Sequence, residues 1–411
     1  MSLHQVAITG VGLLSPVGLD PAEAVQSLRT GASGIRLMHA SPLQEEFAAG
    51  VIPVSFEDHF TKLERPFLDR CQHLAILAAG QALREAGLPD QMAGYGGRAG
   101  VYYGNVNGGA AAVQSWSAEL LQRGKTASRP FTAMAIMGNA GAAQVAIRHK
   151  IHGPVITNAS ACASSGVAIG EAARAIAHGY IEIALAGGAE APLTAGVLGT
   201  FKGTRAMSSP DPADASRTCK PFSRERTGLV IGEGSAWLVL ESASSAIARN
   251  APILAYLSGY GISSDSHHIG MPETNGQVAA LQAALDHAGL KPGDITYINA
   301  HATATNGGDI IEAESIRRVF GSGADAPWVS STKAVHGHLI GATSALELVL
   351  TILSMRNDLI PASAHLGDPD PRCDVNHVGS SPLSSKIQHA LSFSCGFGGT
   401  NAALIVSAAP H

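Results

Sequence analysis

Short apolar stretches alternate along the chain with longer, alanine-rich stretches in which apolar residues recur every three or four positions. The first type is typical of buried β-strands and the second of amphipathic helices. In the N-terminal half this pattern predicts a strand over 153–160, a helix over 164–179 that ends near Gly179, and a strand over 181–190. A strand, a helix and a strand in this order predict a parallel strand pair with a right-handed crossover.

The C-terminal half repeats this alternation and ends in a turn-rich segment, 387–408, that is typical of a hairpin. Two halves of similar content, 1–250 and 251–411, indicate an α/β protein with an internal duplication at the level of the fold. The other elements predicted here are helices over 275–290 (stopped by Gly289), 308–321 and 341–355, and strands over 294–301 and 327–333.

The composition is that of a folded protein with a large core. Of 411 residues, 45% are hydrophobic and 14% are charged, which argues against long disordered regions. The net charge of −5 gives no reason to expect a nucleic acid as partner. The chain lacks a run of about 18 uncharged apolar residues, so no membrane span is expected. The best candidate, 345–355, is short and carries Glu347.

The cysteines and the N-terminal sequence point to the cytoplasm. An odd number of scattered cysteines predicts neither a disulfide framework nor a C-x₂-C zinc site, and a reducing compartment is the plain interpretation. The first residues lack the basic region and the cleavage site of a signal peptide. The cysteines are Cys71, Cys162, Cys219, Cys373 and Cys395.

Cys162 lies in the stretch NASACASSGV, residues 158–167, between a predicted strand and a predicted helix. At a helix N-terminus the macrodipole and the free N–H groups favour a thiolate and lower the pKa of the thiol. A free cysteine is, however, more often buried and inert. This segment alone leaves both interpretations open.

His301 stands where a predicted strand ends, and such positions line the ligand crevice of open α/β folds. The alternative is an ordinary histidine of a surface loop. Asp309 and Glu312 have the spacing of a helix capping box, which predicts that Asp309 caps the following helix. For Glu312, a structural and a functional role are equally compatible with the spacing.

Lys333, His336 and His338 lie within six residues at a second junction between strand and loop. Histidines two positions apart can chelate a metal, but no further ligand motif is present, so no metal site is expected. A nearby lysine would keep both histidines neutral and able to donate hydrogen bonds to an oxyanion. A solvated loop is the alternative, chiefly for His336.

The glycine-rich turn CGFGGTN, residues 395–401, could likewise direct backbone N–H groups at an oxyanion. Together with NASACASS, NAHATAT and SSTKAVHGHLIGA, this turn resembles the β-ketoacyl-[acyl-carrier-protein] synthases of the Cys-His-His type. The segments VAITGVGLLSPVG, PFSRERTGLVIGEGSA and PASAHLGDPD are also similar to that family. The resemblance spans nearly the whole chain, in the family's order.

The resemblance implies a thiolase fold, with two similar α/β halves that form five layers (α-β-α-β-α). Residues 1–250 would carry the nucleophile, and residues 251–411 would carry the catalytic histidines and the lysine. It further implies that Cys162 takes an acyl group from a carrier-protein thioester. Malonyl-carrier protein then loses CO₂, and the resulting carbanion attacks the acyl-cysteine, which lengthens the chain by two carbons.

By the same resemblance, His301 and His338 would stabilise the enolate, while Lys333 would set the electrostatics of the histidines. Phe397 matches a gating phenylalanine, and its N–H group would form an oxyanion hole with that of Cys162. Neither a cofactor nor a metal is implied. For Lys333 the resemblance leaves two partners open, Glu312 and Glu347.

Several positions depart from the family pattern. This chain has Ala302 where the family usually has a glycine and Asn306 where it commonly has a proline. It has Cys395 where the family normally has a phenylalanine close to the nucleophile. Asn107 and Thr132 match positions of the acyl pocket, the second reaching it from a partner subunit. Because an unpaired buried amide costs about 1–3 kcal/mol, these polar residues predict short, unsaturated, polar or aromatic acyl chains.

The family's partner is an acyl carrier protein, and a homodimer is the usual assembly. One alternative is the catalytic half of a heterodimer with a chain-length-factor subunit. Another is a thiolase, in which Cys395 would act as a second cysteine. Because carrier proteins are acidic, basic side chains are expected at the entrance, and the candidates are Arg205, Lys62, Arg65, Arg70, Lys125 and Arg129.

Overall fold

Residues 3–409, the part of the chain that the computed structural model describes, form fifteen strands and twelve α-helices. The strands are β1 (Val6–Leu14), β2 (Ile35–His39), β3 (Glu46–Gly50), β4 (Ala99–Gly104), β5 (Val155–Asn158), β6 (Ile183–Glu190), β7 (Ile231–Gly232), β8 (Gly234–Ser242), β9 (Ala255–Ser264), β10 (Tyr297–Asn299), β11 (Trp328–Ser330), β12 (Leu359–Ile360), β13 (Leu383–Ser384), β14 (His389–Cys395) and β15 (Thr400–Ala408). The helices are α1 (Pro21–Thr30), α2 (Arg70–Glu85), α3 (Ala110–Arg123), α4 (Thr132–Ile136), α5 (Ala140–His149), α6 (Ser164–Ala177), α7 (Ala195–Gly203), α8 (Ala243–Ala248), α9 (Thr274–Ala288), α10 (Gly308–Phe320), α11 (Lys333–His336) and α12 (Thr343–Arg356).

The elements predicted from periodicity are confirmed. β5, α6 and β6 follow one another as expected, and β5 and β6 run parallel, but they are not paired because β4 lies between them. α6 ends two residues before Gly179, which has φ 74°. α9 ends at Gly289, whose φ of 66° is the left-handed conformation of a glycine C-cap. The segment 387–408 forms the antiparallel hairpin of β14 and β15.

The two halves have the same sheet topology, which confirms the predicted duplication. In the N-terminal half the strands lie in the order β5-β4-β6-β8-β1, and in the C-terminal half in the order β11-β10-β14-β15-β9. If the five strands of each of these sheets are numbered in the order in which they occur along the chain, both sheets have the order 3-2-4-5-1. β2, β3 and β7 form a separate small sheet and are not counted. In both, the first three strands of this order run parallel and the remaining neighbours antiparallel. β1 also pairs with β9, which joins the two sheets.

Helices α6 and α12 contact both sheets and form the middle of five layers. The outer layers are α2 with α5 on the N-terminal sheet, and α9 with α10 on the C-terminal sheet. α12 is buried from Thr343 to Met355, as a helix between two sheets must be. Among residues 3–409 there is no helix whose length and apolar character would let it cross a membrane.

The predicted division between the halves falls in the connection from α8 to β9. It stays a prediction, and its outer ends, residues 1–2 and 410–411, lie outside the described residues. The predicted cap of α10 is wrong. This helix begins at Gly308, so Asp309 lies inside the first turn, where its carboxylate accepts a hydrogen bond from the N–H of Phe222 (2.8 Å).

Candidate active site

Cys162 lies in a tight turn between β5 and α6. The turn begins with Ala161 in the left-handed region (φ 48°) and continues as a 3₁₀ helix to Ala163. The hydroxyl of Ser164 accepts a hydrogen bond from the N–H of Ser160 (2.9 Å) and donates one to the carbonyl of Ala161 (2.6 Å). These bonds hold the sulfur at the start of α6, and only 7% of Cys162 remains exposed.

His338 comes from the opposite half and contacts the sulfur directly. Its Nε2 atom lies 2.9 Å from Sγ of Cys162, and its Nδ1 atom lies 2.9 Å from the hydroxyl of Thr343. Burial, assisted by the charge of Lys333, holds the pKa of His338 well below its ordinary value. A neutral imidazole in this position can accept the thiol proton at Nε2 while Nδ1–H donates to Thr343.

The predicted lowering of the thiol pKa is wrong. Burial raises the pKa of Cys162 to about 11, although the charge of Lys333 and the N–H of Phe397 act in the opposite direction. The cost of burying a thiolate therefore exceeds the stabilisation by its surroundings. A thiol with a raised pKa needs a base if it is to attack a carbonyl carbon.

His301 lies just beyond the end of β10, with its ring edge-on to that of His338 at 5.4 Å between centroids. Burial, then Lys333, lowers the pKa of His301 well below its usual value. The carboxylate of Glu312 accepts hydrogen bonds from the N–H groups of His301 and Ala302, both at 2.6 Å. Glu312 thus fixes the backbone that carries His301.

Lys333 and Glu347 form an ion pair inside the protein. Both side chains are fully buried, and Nζ lies 2.5 Å from Oε1. Of the two partners predicted for the lysine, Glu347 is the one in contact. His336 is also fully buried and bonds to the carbonyl of Gly337 (2.7 Å) and the hydroxyl of Thr332 (3.0 Å), which excludes the solvated loop considered for it.

The glycine-rich turn reaches the nucleophile from the opposite side. A Cβ atom on Gly396 would lie only 2.6 Å from the carbonyl oxygen of Ser160, so only glycine permits this approach. The backbone N–H groups of Phe397 and Cys162 both act to lower the pKa of the Cys162 thiol, so both lie near the sulfur. Two backbone N–H groups beside a reacting sulfur are the donors from which an oxyanion hole is built.

These groups open into a cavity of about 490 Å³. Cys162, His301 and His338 line it, and Cys395 forms part of its wall. The sulfur and the ring nitrogens lie within 4.8 Å of one another. Such donors also suit zinc, although the sequence spacing predicts no metal site.

Two of the predicted pocket residues lie elsewhere. Asn107 does not line the cavity, and its Nδ2 donates to Oε2 of the buried Glu190 at 3.0 Å. The amide is therefore paired, and the argument for polar chains that assumed an unpaired amide is wrong. Thr132 is exposed on α4 and donates to the carbonyl of Arg129 (2.9 Å). The role of Asn107 in closing the acyl pocket, and that of Thr132 in reaching the pocket from a partner subunit, stay predictions.

The basic residues predicted to bind the carrier protein differ in whether their charge is already paired within the chain. Arg205 is exposed between Thr204 and Ala206, which line the cavity. Arg70 instead binds both carboxylate oxygens of Glu233 (2.6 and 2.9 Å), which leaves its guanidinium little freedom for a partner. Arg65 forms an ion pair with Asp58, and both Lys125 and Arg129 form ion pairs with Glu119. Lys62 and Arg205 form no ion pair with any of the described residues.

Two hydroxyl groups of the site were missed by the sequence reasoning. Thr343 bonds to His338, and the hydroxyl of Ser344 donates to the carbonyl of Cys162 at 2.9 Å. Both residues are polar, and they open a largely apolar helix directly after the motif GHLIGA. That contrast is the signal by which they could have been found.

The chain matches two family models, "Beta-ketoacyl synthase, N-terminal domain" over residues 4–246 and "Beta-ketoacyl synthase, C-terminal domain" over residues 254–367. It is 36% identical over 406 residues to 3-oxoacyl-[acyl-carrier-protein] synthase 2 of Staphylococcus aureus (strain COL), covering 98% of this chain and 97% of the relative. It is 38% identical over 403 residues to nodulation protein E of Rhizobium meliloti (strain 1021), covering 98% of each.

A solved structure, the ishigamide ketosynthase/chain length factor, superposes with a TM-score of 0.92 at 29% identity and covers 99% of this chain and 100% of that chain. The agreement extends over both halves, so the five-layer architecture predicted from the sequence is confirmed. The motifs, the duplicated sheet and the family matches lead to one conclusion: the chain belongs to the β-ketoacyl synthase family.

Proposed function

We propose that this chain condenses an acyl group with malonyl-acyl carrier protein, as a 3-oxoacyl-[acyl-carrier-protein] synthase. The observation that carries the proposal is the 2.9 Å contact between Sγ of Cys162 and Nε2 of His338 inside a cavity. A nucleophile and a base within hydrogen-bond reach are the essential parts of covalent acyl transfer. The product would be a β-ketoacyl thioester with two additional carbons.

In the first step, Cys162 attacks the thioester carbonyl while His338 takes the thiol proton. The N–H groups of Cys162 and Phe397 stabilise the charge on the carbonyl oxygen, where one donor is typically worth about 2.7–4 kcal/mol. The C–S bond to the carrier breaks, and His338 returns the proton to the departing thiolate. The enzyme keeps the acyl group as a thioester.

In the second step, malonyl-carrier protein loses CO₂, and the electron pair of the broken C–C bond forms an enolate. His301, which is neutral, can donate an N–H group to its oxygen. His338 can do the same as the tautomer that carries its proton on Nε2, in which the hydroxyl of Thr343 donates to Nδ1. In the third step the enolate carbon attacks the acyl-cysteine carbonyl. The C–S bond to Cys162 breaks, and the departing thiolate of Cys162 takes up a proton from water.

The partners we propose are an acyl carrier protein and a second ketosynthase-type subunit. The name of the Staphylococcus aureus relative contains the carrier protein, and the ishigamide structure pairs a ketosynthase with a chain length factor. β5 is the edge strand of the N-terminal sheet, with Val155 and Ile156 exposed to 42% and 48%. An exposed apolar edge favours pairing with another subunit. We propose a homodimer, with a chain-length-factor heterodimer as the alternative.

We also propose that the protein is located in the cytoplasm. All five cysteines are free thiols, and the proposed chemistry requires Cys162 to remain reduced. A thiolase is the weaker alternative. Cys395, its second cysteine, has a pKa held well above the ordinary value by burial, and the family matches name β-ketoacyl synthases.

The test mixes the purified chain with acyl-carrier proteins of several lengths and with malonyl-carrier protein, and follows the enzyme and product by intact-protein mass spectrometry. We expect an acyl adduct that disappears in Cys162→Ala, and a product longer by two carbons. An adduct without product would indicate a missing subunit. Absence of any adduct on folded wild-type protein would refute the proposal, and cleavage of coenzyme A thioesters without malonyl substrate would favour the thiolase.

A further inference from the structure

Three side chains with metal-binding atoms meet in the cavity. The sulfur of Cys162 and one ring nitrogen each of His301 and His338 lie within 4.8 Å of one another, and all three residues are buried. The contact between Sγ of Cys162 and Nε2 of His338 is 2.9 Å. The three residues come from distant segments of the chain, which is why no sequence spacing predicts a metal site. The fold alone brings the three donors together.

The distances between these donors are close to those of a zinc site. Zn²⁺ binds thiolate sulfur at about 2.3 Å and imidazole nitrogen at about 2.0–2.1 Å, so neighbouring ligand atoms of a tetrahedral site are about 3.3–3.6 Å apart. The 2.9 Å contact would have to widen, and the longest separation, at most 4.8 Å, would have to shorten. Each change is roughly 1.5 Å at most by these bond lengths. The side chains have room for such movements because they face a cavity.

The hydrogen bonding of the two histidines suits metal ligands. The hydroxyl of Thr343 lies 2.9 Å from Nδ1 of His338, so Nδ1 can donate its hydrogen there while Nε2 directs its lone pair toward Cys162. Histidines that bind metals almost always donate their second N–H group to such a partner. His301 is only 8% exposed, and its Nδ1 atom is buried without a hydrogen-bond partner among residues 3–409. No internal bond at that nitrogen therefore competes with a ligand.

The charges around the three donors also permit a cation. The positive charge of Lys333 is paired with Glu347, whose Oε1 atom lies 2.5 Å from Nζ, so this buried pair carries no net charge. The sulfur of Cys162 adds a negative charge when the metal displaces its proton. The cavity of about 490 Å³ leaves space for a water molecule as fourth ligand. Three protein ligands and one open position are the arrangement of zinc sites that exchange their fourth ligand.

We infer that Cys162, His301 and His338 form a zinc site, and that zinc bound there blocks acyl transfer reversibly. When the metal binds, the S–H bond of Cys162 breaks, its proton passes to water, and a Zn–S bond forms without any change of oxidation state. His338 can then no longer accept a proton at Nε2. Because an acylated sulfur has no thiolate to offer, zinc and the acyl group exclude each other. The metal site is independent of the proposed function, and only the block of acyl transfer rests on it.

The first test uses Co²⁺ as the probe, because its absorption spectrum reports the ligands in sites of this kind. Titration of the metal-free chain should give a sulfur-to-cobalt charge-transfer band and the visible bands of a four-coordinate ion, and Zn²⁺ should abolish both. Cys162→Ala should remove the charge-transfer band. Cys395→Ala is the matched control, because it removes the other cysteine that lines the cavity, and it should keep the band. Thr343→Val should weaken Co²⁺ binding about 10–100-fold, since it removes the hydroxyl that orients His338.

The second test follows acylation of Cys162 by intact-protein mass spectrometry. We expect saturating zinc to prevent the adduct, EDTA to restore it, and prior acylation to prevent the cobalt band. A folded wild type without the charge-transfer band, or a band that persists in Cys162→Ala, overturns the inference, and acylation of the metal-free chain would still support the proposed function. Acylation that continues at saturating zinc refutes the block. A cobalt band in a chain that no donor acylates would retain the metal site and refute the proposed function.

Discussion

The two halves share one sheet topology but carry different chemistry at the same point of it. In each half, the connection after the third strand passes through a left-handed residue, Ala161 or Ile340 (φ 48° in both), and a 3₁₀ turn into a middle-layer helix. The N-terminal connection holds Cys162, and the C-terminal one holds His338. A repeated backbone motif thus presents the proposed nucleophile from one half and its proposed base from the other.

This difference explains why neither half has a complete site. The contact of Cys162 with His338 joins residues 176 positions apart. Two further hydrogen bonds cross the same layer, from Ser344 to the carbonyl of Cys162 and from the N–H of Ala345 to the hydroxyl of Ser165, both at 2.9 Å. The chemistry is therefore a property of the α6–α12 layer, and each prediction below alters one side of it.

Removing the nucleophile from the N-terminal half should have the largest effect. In Cys162→Ala no acyl-enzyme can form, and we expect condensation to fall roughly 10⁴-fold or more, as for other enzymes that lose their nucleophile. Steady-state product formation measures this. Cys219→Ala is the control, because Cys219 is also a buried free cysteine but lies outside the cavity. Equal loss in both variants would contradict the assignment.

Removing the C-terminal histidines one at a time should separate the steps. His338→Ala should slow acylation by about 10²–10⁴-fold, the usual contribution of a general base. His301→Ala should largely spare acylation, since no hydrogen bond joins its ring to the sulfur, but should stop release of CO₂ from malonyl-carrier protein. Mass spectrometry of the acyl-enzyme and a CO₂ assay measure the two steps. Identical profiles for the two variants would refute separate roles.

The buried ion pair of the C-terminal half should contribute to both stability and rate. Lys333→Met leaves Glu347 buried without its partner and should lower the free energy of unfolding by about 3–5 kcal/mol. Lys333→Met combined with Glu347→Leu should recover most of that stability. Activity should stay low, because the charge that favours the thiolate and the enolate is gone. Denaturant unfolding checks the first expectation, and recovery of activity with stability would contradict the second.

The pH dependence of alkylation should reveal the resting state of Cys162. With a thiol pKa of about 11 and a neutral His338, the thiolate fraction rises with pH and is small at pH 7. We expect the iodoacetamide rate to increase about tenfold per pH unit between pH 7 and 9, since only the thiolate reacts. Cys162→Ala supplies the background. A rate that is constant over this range would instead indicate a thiolate–imidazolium pair.

Local patterns in the sequence were sufficient to predict most of the architecture. α6, predicted over 164–179, is observed at Ser164–Ala177, and α10, predicted over 308–321, at Gly308–Phe320. Both carry their own apolar periodicity, which needs no knowledge of the rest of the chain. The repeated alternation in the two halves then sufficed to predict the duplication. The motifs likewise single out Cys162 and His338, whose side chains lie 2.9 Å apart, while their catalytic roles stay predictions.

The errors concern properties that depend on distant contacts. The pKa of Cys162 rises because the site is buried, and burial cannot be inferred from a helix N-terminus. Asn107 is paired because Glu190, 83 positions away, lies against it. Asp309 turns to the N–H of Phe222 instead of capping its own helix. In each case a tertiary partner overrides the local signal, so the structure was needed.

The smallest effect should come from substitutions at the cavity entrance. The sequence predicts both Arg205 and Arg70 as binding residues for the carrier protein. Because Arg205 is exposed beside the cavity, Arg205→Glu should raise KM for acyl-carrier protein about three- to fivefold with kcat unchanged, as for a single surface charge pair. Added salt should reduce this difference. Arg70→Gln should instead lower stability, because its guanidinium holds the buried Glu233. A large increase in KM for Arg70→Gln without a change in melting temperature would contradict this distinction and return Arg70 to the docking surface.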